Sequence, residues 1–393
     1  MTQKFLVLCV FGVLCAAGVA SAQEPPAPQS VSAPELSAAI DNLGKLDYAT
    51  RTEAARTIRR TPGLQAVPAL LQAVAEHADG YVRYRALVLL TGFADPRTKD
   101  AMRESLASPN DRLRAVAYSF FEHNPDPAMV PDLLVALEKE QAEFVRPALV
   151  RTLAALGSDR RVQQALVREA ARGEDFFRSA VIEALGDYKA QYAYDALTAI
   201  ARLDGPLQDD AAVALGKLGD KRALETLAML QRSAPRTRQP SIAAALCLLG
   251  VNCDSHETYL TETLKFSDKN PGFQDLLRGA AAGLASLALA GHTDAAQSLF
   301  EIGIPARDDS TRAPIALAVA TIALRKTELL NTILEQRADR AAAIELVAEG
   351  FDMLEEDLDK ERFFSLARKT YWGAPEGSPT RELMQTLIGK LDF

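Results

Sequence analysis

Four stretches of the chain repeat one short phrase: Val82-Arg83-Tyr84-Arg85-Ala86-Leu87, Leu113-Arg114-Ala115-Val116-Ala117, Val145-Arg146-Pro147-Ala148-Leu149 and Phe177-Arg178-Ser179-Ala180-Val181. An apolar residue followed by Arg opens each apolar segment, and the steps from one such arginine to the next are nearly constant. A backward step of the same size lands on Arg51, before Ala54-Ala55. Forward steps land on Gln208, before Ala211-Ala212-Val213-Ala214-Leu215, and on Arg238, before Ile242-Ala243-Ala244-Ala245-Leu246. A register kept over seven units is internal repetition, not chance. Each unit carries a second landmark, as in Asp95-Pro96-Arg97, Asp126-Pro127-Ala128, Asp159-Arg160-Arg161 and Asp220-Lys221-Arg222. An Asp carboxylate accepts the orphan amide hydrogens of a first helical turn, and Pro at the first helical position has none to orphan. Leu and Val follow at helical spacing, as in Val67, Leu70, Leu71 and Val74, or Val130, Leu133, Leu134 and Leu137, or Leu224, Leu227 and Leu230. The unit is therefore helix, tight turn, helix.

Neither helix of such a pair can bury its apolar stripe alone, so neighbouring units must stack. The Val-Arg-x-x-Ala openings, Leu156-Gly157, Leu215-Gly216 and Leu218-Gly219-Asp220-Lys221-Arg222-Ala223-Leu224 resemble the HEAT-repeat family, in the short bacterial form of the phycobilisome-lyase-like repeats. The resemblance is strongest over residues 47–250. It implies an all-α fold, a right-handed α-solenoid of HEAT-like helix pairs with a C-terminal capping region and a concave face lined by second helices. It says little about activity.

Composition agrees. Nearly half of the residues are apolar and a quarter are charged, the balance of a folded chain, while β-branched alternation is scarce. Residues 1–22 read as an export signal: Lys4, an apolar run from Phe5 to Ala20, and a small-x-small site at Ala20-Ser21-Ala22 that places cleavage between Ala22 and Gln23. The run is short for a membrane span, which takes about 20 apolar residues. Cys9 and Cys15 each follow Leu, which does not fit a lipoprotein signal. Removal of Lys4 takes the net charge from −8 to −9. Residues 23–34 are a Pro-rich tether, 35–250 the regular repeats, 251–350 degenerate repeats with an insertion around 252–272, and 351–393 a helical cap. The expected location is periplasmic or secreted.

Candidate chemistry is sparse. His77, His123, His256 and His292 are scattered and form no metal motif, and no nucleophile elbow, Walker loop or dinucleotide fingerprint occurs. No catalytic residue, cofactor or metal is expected. The arginines Arg51, Arg83, Arg114, Arg146, Arg178 and Arg238 either grip acidic groups of a partner or join neighbouring repeats through turn acids such as Asp95, Asp126 and Asp159. Recurrence in every unit favours the structural role. Cys247 and Cys253 remain after cleavage, and both a local disulfide and two free thiols fit their spacing. Asp352, Glu355, Glu356, Asp357, Asp359 and Glu361 lack the calcium-loop pattern and read as a solvated helix face. Trp372 reads as a residue that closes the core. The second-helix residues Gln72, Arg103, Glu104, Lys139, Arg168, Arg172 and Arg202 and the tyrosines Tyr188, Tyr192 and Tyr194 form the candidate binding set.

The leading expectation is an exported, non-catalytic scaffold that binds a protein or peptide along an extended surface. The alternative is a lyase-like or isomerase-like enzyme on the same scaffold, since the resembled family includes bilin lyases. A nucleic-acid-binding role is opposed by the negative charge.

Overall fold

The computed structural model describes residues 29–391 except 271 and 355. The expected signal segment, its cleavage point at Ala22 and Gln23, and residues 23–28 of the tether lie outside the described residues. The fold begins at helix α1 (Ala33–Asn42), whose start falls inside the expected tether. Ser32 caps it, accepting from the Glu35 amide while the Glu35 carboxylate accepts from the Ser32 amide, a reciprocal capping box.

Pairs of helices follow: α2 (Tyr48–Arg60) with α3 (Gly63–Glu76), α4 (Gly80–Leu90) with α5 (Arg97–Ser105), α6 (Asp111–His123) with α7 (Val130–Lys139), and α8 (Arg146–Ala155) with α9 (Arg160–Ala171). Next come α10 (Asp175–Asp187) with α11 (Tyr194–Ala201), α12 (Gln208–Leu218) with α13 (Ala223–Ser233), and α14 (Gln239–Leu248) with α15 (Cys253–Lys269). The stack continues with α16 (Gln274–Ala290) and α17 (Thr293–Gly303), then α18 (Asp309–Arg325) and α19 (Thr327–Gln336). Helices α20 (Arg340–Met353), α21 (Asp357–Gly373) and α22 (Pro379–Leu391) end the chain. No strand occurs among the described residues. The fold is an α-solenoid. The insertion expected around 252–272 takes the form of a longer second helix, α15, which spans 17 residues.

The repeated Asp residues cap their helices. Asp95, Asp126, Asp159 and Asp220 accept from the amides of Arg97, Ala128, Arg161 and Arg222 at 2.8–3.1 Å. The repeated arginines do something the sequence reading did not anticipate. Most donate to backbone carbonyls at or just after the end of the preceding helix and not to those turn acids, and Arg114 and Arg312 add two-pronged pairs with Glu140 and Glu349. Arg83 Nε donates to Val74 O at 2.7 Å, Arg178 Nε to Ala170 O at 3.1 Å, and Arg340 Nε to Leu334 O at 2.9 Å. Arg51 reaches the carbonyls of Lys45 and Leu46, Arg114 those of Ser108 and Pro109, and Arg312 those of Gly303 and Ile304. The physical reason is that the last carbonyls of a helix have no intrahelical donor and carry the negative end of its dipole. A cation at that place satisfies both. The turn acids have nearer partners: Arg97 for Asp95, Lys99 and Arg103 for Asp126, and Arg161 for Asp159.

Two members of the row depart from the pattern. Arg146 lies over the Phe177 ring, 3.5 Å from its centroid. Arg238 donates to Asp204 and to Gln208 Oε1, and Gln208 itself caps Ala201 O. Gln239 supplies the carbonyl contacts in the Arg238 unit, donating to Gln231 O and Ala234 O.

First helices pack side by side along the stack, whereas successive second helices meet at few points. Small residues permit the close approach. A Cβ added to Gly216 would lie 2.6 Å from the Cα of Ala245, so α12 and α14 meet almost backbone to backbone. The tightly spaced first helices therefore form the inner, concave layer and the second helices the outer one. This reverses the expectation of a concave face lined by second helices.

Buried apolar residues form two clusters, one over the N-terminal repeats to Leu249 and one from Ala243 to Leu391, which meet at α14. Helix α21 belongs to both: Leu358 sits in the first, and Phe363, Phe364, Ala367 and Tyr371 in the second.

Two expectations concern stability. Arg178→Met keeps an apolar stem but removes the donor to the carbonyl of Ala170. It should cost about 1–2 kcal/mol in denaturant unfolding, while Arg202→Met on the surface should change stability by less than about 0.5 kcal/mol. Asp209 is pushed up to about 6, because burial outweighs the charge of Arg238, 4.0 Å away. Its ionised form is therefore disfavoured in the fold, a cost present in full above pH 6 and absent well below the ordinary value near 4. The side chain is 38% exposed, so the unscreened cost is discounted to about 1 kcal/mol. Asp209→Asn should raise the melting temperature at pH 7.5, and the gain should vanish near pH 4.

Candidate protein-binding face

The concave face presents polar side chains from the first helices. Arg59 stands in the last turn of α2, Tyr84 and Arg85 in α4, Glu122 and His123 at the end of α6, and Arg151 in α8.

Helix α21 crosses this face. Arg59 and Glu361 form a two-pronged ion pair, with Nη2–Oε2 at 2.7 Å and Nε–Oε2 at 3.0 Å, and the Glu361 side chain is only 3% exposed. The same guanidinium lies 5.0 Å from the centroid of the Phe364 ring. Asp357 accepts from the Tyr84 hydroxyl and from Arg85, the latter at 3.0 Å. Asp359 meets His123 Nε2 at 2.8 Å and Arg362 at 2.9 Å. Ser365 donates to Gly92 O at 3.3 Å. Burial alone would raise the carboxyls of Asp357 and Asp359. Arg85 and the Tyr84 hydroxyl outweigh it for the first, and the His123 contact for the second, and both are held below the ordinary carboxylate range. At Asp357, Asp359 and Glu361 the acidic run is thus no solvated face, while Asp352 is exposed and Glu355 lies outside the described residues. Asp357, Asp359 and Glu361 are spent on groups contributed by the N-terminal repeats.

Between α4, α6, α8 and the start of α21 lies a half-enclosed cavity of about 370 Å³, lined by Tyr84, Arg112, Phe144, Arg151, Arg325 and Glu356 among others. Deeper on the same face, Arg151 bridges Glu122 and Asp187, each at 2.9 Å, and Lys217 also holds Asp187 at 2.7 Å. Tyr188 donates to Glu122 at 2.9 Å. Burial pushes the Glu356 carboxyl up against the opposing pull of Arg325.

Residues 35–121 match the family model described as HEAT repeats, and residues 207–232 that of the PBS lyase HEAT-like repeat. Over those residues the chain carries HEAT-like repeats. Among solved structures, the complex of CpcE and CpcF of phycocyanin lyase from Nostoc sp. PCC7120 is similar at 18% identity, over 66% of this chain and 97% of that one, with a TM-score of 0.40. Importin beta is similar at 14% identity over 91% of this chain and 55% of its own, with a TM-score of 0.40. Kap121p is similar at 12% identity over 91% of this chain and 45% of its own, with a TM-score of 0.41. The chain therefore spans about half the length of these last two. No curated protein matches it in sequence.

The binding residues expected from sequence fall mostly on the outer layer of the HEAT repeats, spread over several second helices and the ends that flank them. Gln72 contacts Glu76, Arg103 pairs with Asp126, and Glu104 and Lys139 are exposed. Arg168 and Arg172 converge on Glu138 and Glu169, and Arg202 donates to Thr226. The Tyr194 ring lies under Arg222 at 4.0 Å, and Tyr192 packs beside Gly157. Only Tyr188, at the end of α10, faces inward. The structure does not bring this set together. Sequence reasoning missed Arg59, Arg85, Glu122, His123 and Arg151. Only Arg85 and Arg151 carried a local signal, a charged residue inside the apolar run of a first helix.

Cys247 and Cys253 are joined, linking the end of α14 to the start of α15. The histidine beside them is His292, with Nδ1 3.6 Å from Cys253 Sγ and 3.6 Å from Glu257. Sulfur atoms bonded to each other are not the thiolates a metal ion takes. Trp372 is 41% exposed, and its neighbour Tyr371, 1% exposed, closes the core in its place. No helix of the described residues is long and apolar enough to cross a membrane.

The depressed carboxyls make the α21 contact acid-sensitive. Their contribution is present above the ordinary carboxylate value near 4 and is lost as the pH falls through the lowered values of the folded state. Hydrogen exchange of the α21 amides should match that of α20 at pH 7 and exceed it clearly at pH 3.

Proposed function

We propose that this protein is an exported, non-catalytic HEAT-repeat scaffold that binds a protein or peptide partner on its concave face. The observation that supports this best is the helix already seated there. Side chains from α2, α4 and α6 hold α21 through paired charges, so the face has the chemistry to recognise a helix. Export, to the periplasm of a Gram-negative cell or beyond, rests on Lys4, the apolar run and Ala20-Ser21-Ala22. The net charge of the mature chain weighs against a nucleic-acid partner.

The lyase-like or isomerase-like alternative has one feature in its favour, the cavity beside Glu356 with its raised carboxyl. The scaffold reading is preferred because the groups nearby are tied to one another: Arg151 to Glu122 and Asp187, Tyr188 to Glu122. A general acid or base must instead face the substrate.

The test is in-cell crosslinking of the mature chain, followed by pull-down and mass spectrometry. Arg112→Glu with Phe144→Glu alters exposed inner-face positions, and Arg168→Glu with Arg172→Glu and Arg202→Glu alters the outer layer. The expected result is a stoichiometric partner that the inner pair loses and the outer triple keeps. Loss by the outer triple alone would move the site to the outer layer. An exported protein with no enriched partner would overturn the scaffold reading.

A further inference from the structure

We propose that the concave face of α2, α4 and α6 is a receptor for an acidic helix of a partner protein, and that α21 occupies it as an internal stand-in. The inference rests on the scaffold reading and names the partner's chemistry.

The receptor side is a ladder with one donor set per repeat: Arg59, then Tyr84 with Arg85, then His123. The ligand side is a short acidic pattern at a helix start. Asp357 and Glu361 are one turn apart and share a face. They meet Arg85 and Arg59, while Asp359 projects to the other side, onto His123. Leu358, between the acids, is the single α21 side chain in the buried cluster of the N-terminal repeats. Its aromatic residues, Phe363, Phe364 and Tyr371, belong to the C-terminal cluster with α22. The contact across the concave face is therefore mainly ionic, and releasing it leaves the helix anchored in its own half.

The contact is also loosely packed. The cavity of about 370 Å³ lies at the start of α21, and a second of about 520 Å³ lies farther along it, between Arg59, Phe93, Glu361, Ser365 and Trp372. Both are clefts open to solvent, so α21 leaves part of the face uncovered there. Phe144 stands 47% exposed at the rim of the first cavity. A helix that keeps the acids at the positions of Asp357, Asp359 and Glu361 but carries larger apolar groups around them would fill what α21 leaves open. It would then displace α21 from the N-terminal repeats.

The experiment uses a fluorescein-labelled peptide of residues 354–373 and the mature full chain, read by anisotropy. In the chain, Asp357→Asn with Glu361→Gln weakens the internal contact and should tighten peptide binding at least tenfold over wild type. Adding Arg59→Gln and Arg85→Gln should abolish that gain. Circular dichroism of each variant reports folding. The wild-type protein supplies an independent readout: excess peptide should speed hydrogen exchange of α21 and leave α12 unchanged. Equal affinities for wild type and the folded, weakened variant, together with α21 exchange indifferent to peptide, would overturn the inference. If the peptide fails while the inner-face variant still loses its crosslinked partner, the acidic-helix ligand is wrong and the scaffold stands. If both fail, the scaffold reading falls as well.

Discussion

The architecture depends on one recurring hydrogen bond. A second helix ends with carbonyls that have no donor, and the next repeat's first helix hands back a long cationic or amide side chain to meet them. Arg83, Arg178, Arg312 and Arg340 do this, Arg114 reaches the carbonyls of the turn that follows the helix, and Gln208 and Gln239 substitute where the row changes character. The contact couples each repeat to its predecessor in polar terms, as the apolar stripes couple it in hydrophobic ones. It also explains why the spacing of the arginines is the clearest signal in the sequence. A cap has to stand at a set distance after the end it caps, so its position cannot drift while the connecting turns keep their length.

Curvature follows from which layer can pack more closely. The first helices carry Ala and Gly where they face each other, and Gly216 against Ala245 is the tightest of the regular repeats. Longer Leu and charged side chains hold the second helices apart. A stack with one close layer and one spread layer bends toward the close one. Carried over this many repeats, the bend brings the C-terminal region back across the N-terminal one, where α21 bridges the two apolar clusters.

The repeat, its caps, its helix pairs and the fold class were legible because each depends on neighbours in sequence. The concave face was not. The partners of Arg59, Arg85 and His123 lie far along the chain, and nothing local at Asp357 or Glu361 distinguishes an acid that will be buried from one that stays wet. The same blindness credited Trp372 with the closure that Tyr371 performs. Second-helix residues such as Arg168 and Arg172 were conspicuous as charged positions, yet charge on the outer layer of a solenoid is what solvent exposure alone requires.

That contrast decides how the two surfaces should be weighed. An exposed ion pair such as Arg168 with Glu138 gains little, because water screens it and two long side chains must be held still. Arg59 and Glu361 are almost wholly withdrawn from water, so each charge has lost its hydration and depends on the other. Removing either partner leaves an uncompensated charge, whereas replacing the acid by another acid on a different helix leaves none. A buried pair across an otherwise open face is therefore hard to break by simple dissociation and easy to exchange for an equivalent pair. Those are the properties of a surface selective for the charge pattern of its ligand, and they belong to the concave face and not to the arginines outside it.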